Sequence, residues 1–318
     1  MCQIQLTYQN IYCIAMDNYM KFEMIGRGSN GTKVYLVKNL IDNNLYAMKK
    51  IFHKEENDSN EVSIMEKLSN HPYIISYVDS FISKSNKLCI ITEYFKNGDL
   101  ASFISKHRST NTPIYEQLIL KWIYQLTTAI SYIHSKNIIH NDIKPGNIFI
   151  TDTFDIKIAD FGISFNINDT PKTNIGTPLY LPPELCKGKP PEYKSDMWMI
   201  GCVAYELTTL SKPFMGGCIA EIMRNIVTTE PKEITSRSKR LNKIINGLLN
   251  KNPIERYSDK DVIKEITKTK GRRCCSIDVK RINNNVYSHK GIKVQNVVKH
   301  QSIKQIEFIY EDSYINVQ

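Results

Sequence analysis

Residues 140–147 constrain the fold of this chain most strongly, because they place ionisable side chains between two apolar runs. The flanking residues 138–139 and 148–150 are all isoleucine or phenylalanine. An Asp-Phe-Gly sequence starts thirteen residues after Asn147. Charged and amide side chains are stable in apolar surroundings only when they have partners. We therefore expect a functional site that contains Asp142, Lys144, Asn147 and Asp160.

A magnesium-bound triphosphate would supply partners for these side chains. Mg²⁺ binds hard oxygen ligands and commonly shares its coordination shell with substrate phosphates. The Asp160 carboxylate and the Asn147 amide oxygen are ligands of this kind. The segment therefore predicts a site for a magnesium-bound phosphate compound.

A glycine-rich segment near the N-terminus (Gly26-Arg27-Gly28-Ser29-Asn30-Gly31) lies between two apolar runs that are typical of strands. A dinucleotide-binding fold needs such a loop to open a helix. A P-loop needs a closing Gly-Lys-Ser/Thr, which does not follow these glycines. The order of apolar runs instead predicts a loop at the tip of a β-hairpin.

Strand and helix patterns divide the chain into two parts. Before Gly98 the expected strands start at Met24 and continue at residues 34–37, 45–52, 74–81 and 88–92, with one helix at residues 61–68. After Gly98 helical periodicity dominates, at residues 115–135, 195–210, 219–227 and 241–250. This order predicts an α+β fold with a small β-rich N-terminal lobe and a larger helical C-terminal lobe.

Composition excludes several classes of protein. No apolar run approaches the ~20 residues of a membrane-spanning helix; the longest, residues 197–207, contains Glu206 and is typical of a buried helix. Residues 1–10 lack the basic and apolar regions of a secretory signal. The eight cysteines follow no metal-ligand spacing. We therefore expect reduced thiols and a cytoplasmic or nuclear location.

The net charge of +10 is concentrated near the C-terminus. Residues 268–304 carry ten Lys or Arg and one acid, a net charge of +9, and their apolar residues alternate only weakly. One interpretation is a solvated extension. The other is a segment that contacts an anionic partner such as nucleic acid, anionic lipid or an acidic protein.

Together the motifs resemble those of the eukaryotic-type protein kinases. Four segments occur in the kinase order: the glycine loop, Ala47-Met48-Lys49, residues 140–147 and Asp160-Phe161-Gly162. Pro182-Pro183-Glu184 stands at the usual Ala-Pro-Glu position. The resemblance covers residues 19–266, continues through Asp196 to Arg256, and implies a bilobal kinase fold that uses ATP and Mg²⁺.

The expected organisation follows from this resemblance. A leader at residues 1–18 precedes a protein kinase domain at residues 19–266, and a basic tail occupies residues 267–318. Within the domain the N-lobe would span residues 19–92, the hinge residues 93–98 and the C-lobe residues 99–266.

The resemblance also assigns roles in phosphate transfer. Lys49 would hold the α- and β-phosphates and would be oriented by an ion pair with Glu61. Asp142 would accept or orient the proton of the acceptor hydroxyl, and Lys144 would neutralise the transferring phosphoryl group. The magnesium ligands would be Asn147 and Asp160. A surface strand lysine is the alternative interpretation of Lys49, because Lys50 lies beside it.

The nucleotide would be enclosed by both lobes. Val34, Ala47 and Phe149 would lie against the adenine ring, although simple core packing also explains them. Backbone groups of Glu93 and Phe95 would bind the adenine edge. The other contacts would come from Ile25, Gly26, Gly28 and Gly31, and from Asp99, which would accept from the ribose hydroxyls or be a solvated loop acid.

Two further expectations concern the scaffold. The resemblance implies that Asp196, at the start of its helix, anchors the loop that carries Asp142. It also implies a buried ion pair between Glu184 and Arg256.

The acceptor class follows from Lys144 and from Gly176-Thr177-Pro178, which resemble the serine/threonine kinases. Within these, the sequence is most similar to the NIMA-related (Nek) kinases. The matching segments are Gly98-Asp99-Leu100-Ala101, Asp160-Phe161-Gly162-Ile163-Ser164, Gly176-Thr177-Pro178-Leu179-Tyr180-Leu181 and Lys194-Ser195-Asp196-Met197-Trp198.

The chain departs from the kinase pattern at three places. Asn141 replaces the arginine before the catalytic aspartate, and Pro182 replaces an alanine. The glycine loop has one extra residue before Val34 and lacks an aromatic tip. Thr173 occupies the position of the activating phosphate in Nek kinases. Because Asn141 carries no charge, we predict weak dependence on phosphorylation of Thr173.

Three functions from different classes are compatible with these features. The first is an active serine/threonine kinase that phosphorylates protein substrates, and the second is a pseudokinase or ATP-binding scaffold. The third, a nucleic-acid-binding protein with a vestigial kinase body, would need aromatic residues among the basic ones. The presence of Lys49, Asp142, Asn147 and Asp160 favours the active kinase, and the absence of a long heptad segment favours a monomer.

Overall fold

The computed structural model describes residues 18–28, 31–52, 55–68, 71–169 and 176–268. The predicted leader, the basic tail beyond Lys268 and Thr173 lie outside these residues, apart from Asn18, Thr267 and Lys268 at the boundaries. The described residues up to Ile266 belong to one compact unit.

The N-terminal lobe is built on one antiparallel sheet with the strand order β1-β2-β3-β5-β4. The strands are β1 (Tyr19–Arg27), β2 (Lys33–Asn39), β3 (Leu45–Phe52), β4 (Tyr77–Ile82) and β5 (Lys87–Glu93). Because β1 pairs with β2, the glycine-rich segment lies at the tip of a hairpin, as predicted. The sheet also contains β3 and β5, so Lys49 and Glu93 lie on neighbouring strands.

Several boundaries in this lobe differ from the sequence prediction. β1 starts at Tyr19 rather than Met24. Ile74 lies outside β4 and instead forms an isolated parallel bridge with Ile158 of the other lobe. Helix α1 (Glu55–Leu68) begins six residues before the predicted start. Its first turns are polar and therefore gave no hydrophobic periodicity to detect.

The C-terminal lobe is mainly helical. Its helices are α2 (Leu100–Ser109), α3 (Glu116–Ser135), α4 (Pro183–Cys186), α5 (Tyr193–Thr209), α6 (Ile219–Thr228), α7 (Lys239–Leu248) and α8 (Asp259–Thr267). The centre of the core lies along α3 and α5, whose Trp122 and Trp198 are fully buried. The predicted buried helix at residues 197–207 is part of α5, and every residue in it is buried. The predicted α+β fold with two unequal lobes is confirmed.

Two short antiparallel pairs place the polar segments of the C-lobe. β6 (Ile138–Ile139) pairs with β9 (Phe165–Asn166), and β7 (Ile148–Ile150) pairs with β8 (Ile156–Ile158). The isoleucines of β6 and β8 are buried. Residues 140–147 therefore lie between β6 and β7, and Asp160 lies between β8 and β9.

Among the described residues, no helix is both long and apolar enough to cross a membrane.

Candidate active site

Asp196 of α5 holds the loop that carries Asp142 in place. The Asp196 carboxylate accepts from the backbone N–H groups of His140 at 3.0 Å and Asn141 at 2.9 Å. It also contacts His134 Nε2 at 2.8 Å. Burial alone would raise the pKa of Asp196, but its partners, first His134, outweigh burial and hold the pKa below its ordinary value. The predicted anchoring contacts are therefore present.

The Asp142 carboxylate lies at the centre of a network within this loop. Oδ2 lies 2.6 Å from Lys144 Nζ and 2.9 Å from Asn147 Nδ2. Oδ1 accepts from the Thr177 hydroxyl at 3.0 Å. Lys144 Nζ also donates to Thr177 Oγ1 at 2.8 Å. The structure thus brings Asp142, Lys144 and Asn147 together and adds Thr177, to which the sequence analysis assigned no contact.

Lys49 joins the two lobes through two carboxylates. Its Nζ lies 2.6 Å from Glu61 Oε1 of α1 and 2.7 Å from Asp160 Oδ1 of the C-lobe. Burial alone would lower the pKa of Lys49, but the two carboxylates outweigh burial and raise it above its ordinary value. The pKa of Asp160 is lowered, because Lys49 outweighs the opposing effect of burial. The predicted ion pair with Glu61 is present.

Gly162 lies directly against these three charged groups. A Cβ atom at this position would lie 3.3 Å from Asp160 Oδ1 and 3.6 Å from both Glu61 Oε2 and Lys49 Nζ. The distances to Glu61 and Lys49 are ordinary van der Waals contacts, whereas the distance to Asp160 is tight. A side chain at Gly162 would therefore require Asp160 to shift slightly.

Two oxygen ligands for a metal ion remain available beside Asp142. Lys49 contacts only Oδ1 of Asp160, and Asn147 uses its Nδ2 to donate to the backbone and carboxylate oxygens of Asp142. Among the described residues, neither Asp160 Oδ2 nor Asn147 Oδ1 takes part in a hydrogen bond. Carboxylate and amide oxygens suit Mg²⁺, which commonly completes its shell with phosphate and water. The predicted ligand pair therefore fits this ion.

Val34 and Ala47 lie on the same face of the N-lobe sheet as Lys49. The pairing of β2 with β3 sets Val34 opposite Lys49, and the pairing of β3 with β5 sets Ala47 opposite Thr92. Neighbours in an antiparallel register share a face of the sheet, so Val34 lies on the same face as Lys49. Val34 and Ala47 are only half-buried, whereas Val37 and Met48 on the same strands are buried. The half-buried Val34 and Ala47 side chains are therefore candidates to contact the adenine ring.

Two aromatic rings join β7 to the hinge. Phe149 of β7 is half-buried and stacks on Phe95 with ring centroids 5.4 Å apart. The Glu93 carbonyl accepts from Thr92 Oγ1 at 3.4 Å, and the Phe95 carbonyl accepts from Gly98 N at 3.2 Å. The structure thus brings Phe149 and Phe95, two of the predicted adenine contacts, together.

Three glycines of the glycine loop lie within the described residues. Gly26 pairs with Val34, and Gly28 N donates to Thr32 O at 3.0 Å, which closes the turn. A Cβ atom at Gly28 would lie 3.1 Å from Thr32 Cβ, so the turn favours glycine there. Gly31 has a φ of 72°, in the left-handed region. Ile25, before the loop, is exposed.

Asp99 has a role that the sequence analysis missed. Its Oδ1 accepts from Ser102 N at 2.7 Å and caps the N-terminus of α2. The signal was present, because aspartate directly before an amphipathic helix is a common N-cap. The second carboxylate oxygen remains available, so the cap is compatible with a ribose contact.

Glu184 and Arg256 form the expected buried pair in the C-lobe. Arg256 donates from both terminal nitrogens to the two carboxylate oxygens, each at 2.8 Å. Ser195 Oγ donates to Glu184 Oε1 at 2.9 Å. Burial alone would raise the pKa of Glu184, but Arg256 outweighs burial and holds the pKa below its ordinary value.

Comparisons with known proteins agree with this geometry. The family described as "Protein kinase domain" matches residues 19–270. Serine/threonine-protein kinase Nek6 of Oryza sativa subsp. japonica is 35% identical over 76% of this chain and 46% of its own length. Serine/threonine-protein kinase Nek1 of Mus musculus is 35% identical over 79% of this chain and 21% of its own length.

A third relative is matched over more of its length. The probable serine/threonine-protein kinase nek2 of Dictyostelium discoideum is 33% identical over 87% of this chain and 67% of its own length. The chain spans about half or less of the other two relatives. With its matched domain, its two lobes and these relatives, the chain belongs to the protein kinase family, within which it is similar to the Nek serine/threonine kinases.

Proposed function

We propose that this protein is an active serine/threonine protein kinase that transfers the γ-phosphoryl group of ATP to protein hydroxyls. One observation carries the proposal: Lys49 contacts Glu61 and Asp160 at once, across the two lobes. This contact brings the lysine proposed to bind phosphate and the aspartate proposed to bind Mg²⁺ to one place.

The described residues include a candidate for each part that phosphoryl transfer requires. Lys49, held by Glu61, would clamp the α- and β-phosphates. Asp160 and Asn147 would hold Mg²⁺, which supplies charge neutralisation for the triphosphate when bound. The half-buried Val34, Ala47 and Phe149, with the hinge backbone at Glu93 and Phe95, would hold the adenine ring.

Asp142 and Lys144 would act on the acceptor. The Asp142 carboxylate would orient the acceptor hydroxyl and accept its proton, while the Lys144 ammonium would stabilise charge on the transferring phosphoryl group. The Thr177 hydroxyl donates to Asp142 and accepts from Lys144, and therefore holds both at fixed positions. Resemblance to the serine/threonine kinases at Lys144 and Thr177 supports serine and threonine as acceptors.

Narrower points belong to the same proposal. We propose a kinase domain at residues 19–266, which agrees with the family match over residues 19–270. The +9 charge of residues 268–304 supports an anionic partner for the tail. A monomer and a cytoplasmic or nuclear location complete the proposal.

The experiment that tests the function uses the full chain, Mg²⁺, labelled ATP and casein as a generic acceptor. We expect incorporation of phosphate into serine and threonine, and a loss of about two decades or more in rate for Asp142→Ala. Asp152→Asn, which changes an exposed aspartate, is the matched control and should keep the wild-type rate.

Two outcomes would contradict the proposal. Nucleotide binding without phosphate transfer in the wild-type protein would favour the pseudokinase or scaffold. Equal rates for Asp142→Ala and wild type, in a preparation free of other kinases, would show that Asp142 is not the catalytic residue.

A further inference from the structure

Glu93 carries side-chain contacts to which the proposed transfer reaction assigns no role. It is the last residue of β5, where the chain leaves the N-lobe. Its Oε1 accepts from the backbone N–H of Ser76 and from Lys157 Nζ, both at 2.6 Å. Lys157 Nζ also donates to Ser76 Oγ at 3.3 Å. One carboxylate thus joins three separate segments of the chain.

The three segments each lead to a part of the nucleotide site. Residues 71–76 follow α1, which carries Glu61. Lys157 lies on β8, three residues before Asp160. Glu93 begins the hinge, whose backbone would bind adenine. The junction of Ser76, Glu93 and Lys157 therefore lies where the elements for adenine, phosphate and metal converge.

Backbone hydrogen bonds fasten the same junction. Ile75 N donates to Ile158 O, and Ile158 N donates to Tyr73 O, both at 2.9 Å. Glu93 N donates to Ser76 O at 3.3 Å. These bonds hold residues 73–76 both to β8 and to the start of the hinge, and the Glu93 carboxylate adds side-chain contacts to the same two segments.

Burial separates this ion pair from an ordinary surface pair. The Lys157 and Glu93 side chains are 16% and 28% exposed. A second ion pair joins Lys96 of the hinge to Asp152, which follows β7. Its Nζ and Oδ2 atoms lie 3.3 Å apart, and the side chains are 69% and 66% exposed. Exposed pairs are screened by solvent and contribute little. The pair at Glu93 is shorter, less exposed and shared with a backbone group.

The register of β7 and β8 connects the pair to the residues proposed to bind adenine. Lys157 is the partner of Phe149, whose ring stacks on Phe95 of the hinge. The aromatic stack and the Glu93–Lys157 contact both join the hinge to this strand pair. They add to two hydrogen bonds, from Ile150 N to Gly98 O at 2.9 Å and from Asn97 Nδ2 to Thr151 O at 3.0 Å. Loss of the stack or of the ion pair would leave the hinge backbone less constrained against β7 and β8.

We propose that Glu93 and Lys157 form a positioning pair that holds the hinge backbone in place for adenine, an inference that rests on the proposed kinase function. The pair acts through the hinge and touches neither phosphate nor acceptor. Its effect therefore falls on adenine affinity rather than on the transfer step. Adenosine, which has no phosphates, must show the same dependence on the pair as ATP.

The test uses the full chain with Lys157→Met, which removes the charge and keeps most of the side-chain volume. We expect the dissociation constants of adenosine and of Mg-ATP, measured by calorimetry, to rise by about three- to tenfold, and KM for ATP to rise equally. The value of kcat should stay within about twofold of wild type. Lys157→Arg, which keeps the charge, should restore most of the affinity.

Two further variants make the test specific. Lys96→Met removes a lysine of the exposed hinge pair and should leave the adenosine affinity unchanged. Glu93→Gln should weaken adenosine binding as Lys157→Met does, and the double variant should lose less than the product of the two single effects. If Lys157→Met fails to fold, Glu93→Gln and Lys157→Arg give the same comparison.

Three outcomes would contradict the proposed positioning role of Glu93 and Lys157. These are unchanged adenosine affinity in Glu93→Gln or Lys157→Met, weaker binding of ATP alone, or a raised kcat at constant affinity. If the wild-type protein binds adenosine and transfers phosphate but the variants behave like Lys96→Met, only the positioning role is contradicted. A wild-type protein that binds neither adenosine nor ATP removes the proposed function as well.

Discussion

Two cation–carboxylate pairs in different regions of the molecule have similar lengths but different surroundings. Lys49 and Glu61 lie 2.6 Å apart between the lobes, with side chains 23% and 8% exposed. Arg256 and Glu184 lie 2.8 Å apart inside the C-lobe, with side chains 0% and 5% exposed. The first pair is partly exposed and the second is enclosed. We therefore infer that the first pair is arranged to receive a ligand and the second to hold the fold.

The hydrogen-bond inventory supports the same distinction. Arg256 bonds both Glu184 oxygens and also donates to the carbonyl oxygens of Lys194 and Asn250. Its planar donor set is thus occupied by the protein itself. Lys49 has three donors, of which Glu61 and Asp160 occupy two among the described residues. Under the proposed function, the third donor of Lys49 and the second carboxylate oxygen of Asp160 would bind phosphate and metal.

The largest expected effect comes from breaking the enclosed pair. Arg256→Met leaves Glu184 as a buried carboxylate without its cation, which typically costs about 3–5 kcal/mol of unfolding free energy. Urea denaturation followed by circular dichroism measures this loss. Arg224→Met is the matched control, because Arg224 and its partner Glu221 are largely exposed, and it should change the free energy by less than about 0.5 kcal/mol.

A stability of Arg256→Met equal to that of the control would remove the distinction between the two pairs. A large loss of stability in both variants would show instead that any arginine in this lobe is structurally important. The comparison holds only if the enclosed arginine alone causes the loss.

The second effect comes from breaking the pair of Lys49 and Glu61. Lys49→Met should reduce phosphate transfer by about two decades or more, equivalent to about 2.7 kcal/mol of barrier, because the phosphate clamp is lost. The urea midpoint should change much less than in Arg256→Met. Steady-state rates and denaturation curves on the same preparation measure both quantities.

Lys50→Met provides the matched control for this variant. Lys50 follows Lys49 on β3, and successive residues of a strand point to opposite faces of the sheet. It should therefore keep the wild-type rate. Equal losses of rate at both positions would mean that Lys49 has no special role, and a collapse of stability at Lys49 would make its pair with Glu61 structural.

The resemblance to the kinase motifs implied both pairs, Lys49 with Glu61 and Glu184 with Arg256. Lys49, Glu61 and Asp160 belong to such motifs, and the strand and helix periods predicted the two lobes around them. The start of α1 at Glu55 was missed, because a polar first turn has no apolar period.

Contacts between distant side chains were also missed. The bond from Lys157 to Glu93 spans 64 residues and that from Lys144 to Thr177 spans 33. Neither leaves a local pattern in the sequence. Such contacts depend on how β8, the hinge and the segment after residue 175 meet in three dimensions, which a linear pattern does not encode.

The smallest expected effect concerns Asn141, an uncharged residue. Asn141 stands beside Asp142, is buried, and has a φ of 65°, in the left-handed region that asparagine tolerates. Its backbone N–H donates to Asp196, whereas its side-chain oxygen has no hydrogen-bond partner among the described residues. A phosphate on Thr173, which lies outside those residues, would therefore find a neutral amide at this position.

Thr173→Ala should consequently keep more than about a third of the wild-type rate, because a neutral hydrogen bond is weaker than a charge-assisted arginine pair. Asn141→Arg should increase the dependence on Thr173, since an arginine can bind phosphate with two parallel hydrogen bonds. The measurement is a two-by-two set of transfer rates, with the phosphorylation of Thr173 determined by mass spectrometry. A hundredfold loss in Thr173→Ala alone would show that another cation binds this phosphate. The uncharged character of position 141 would then have no consequence for regulation.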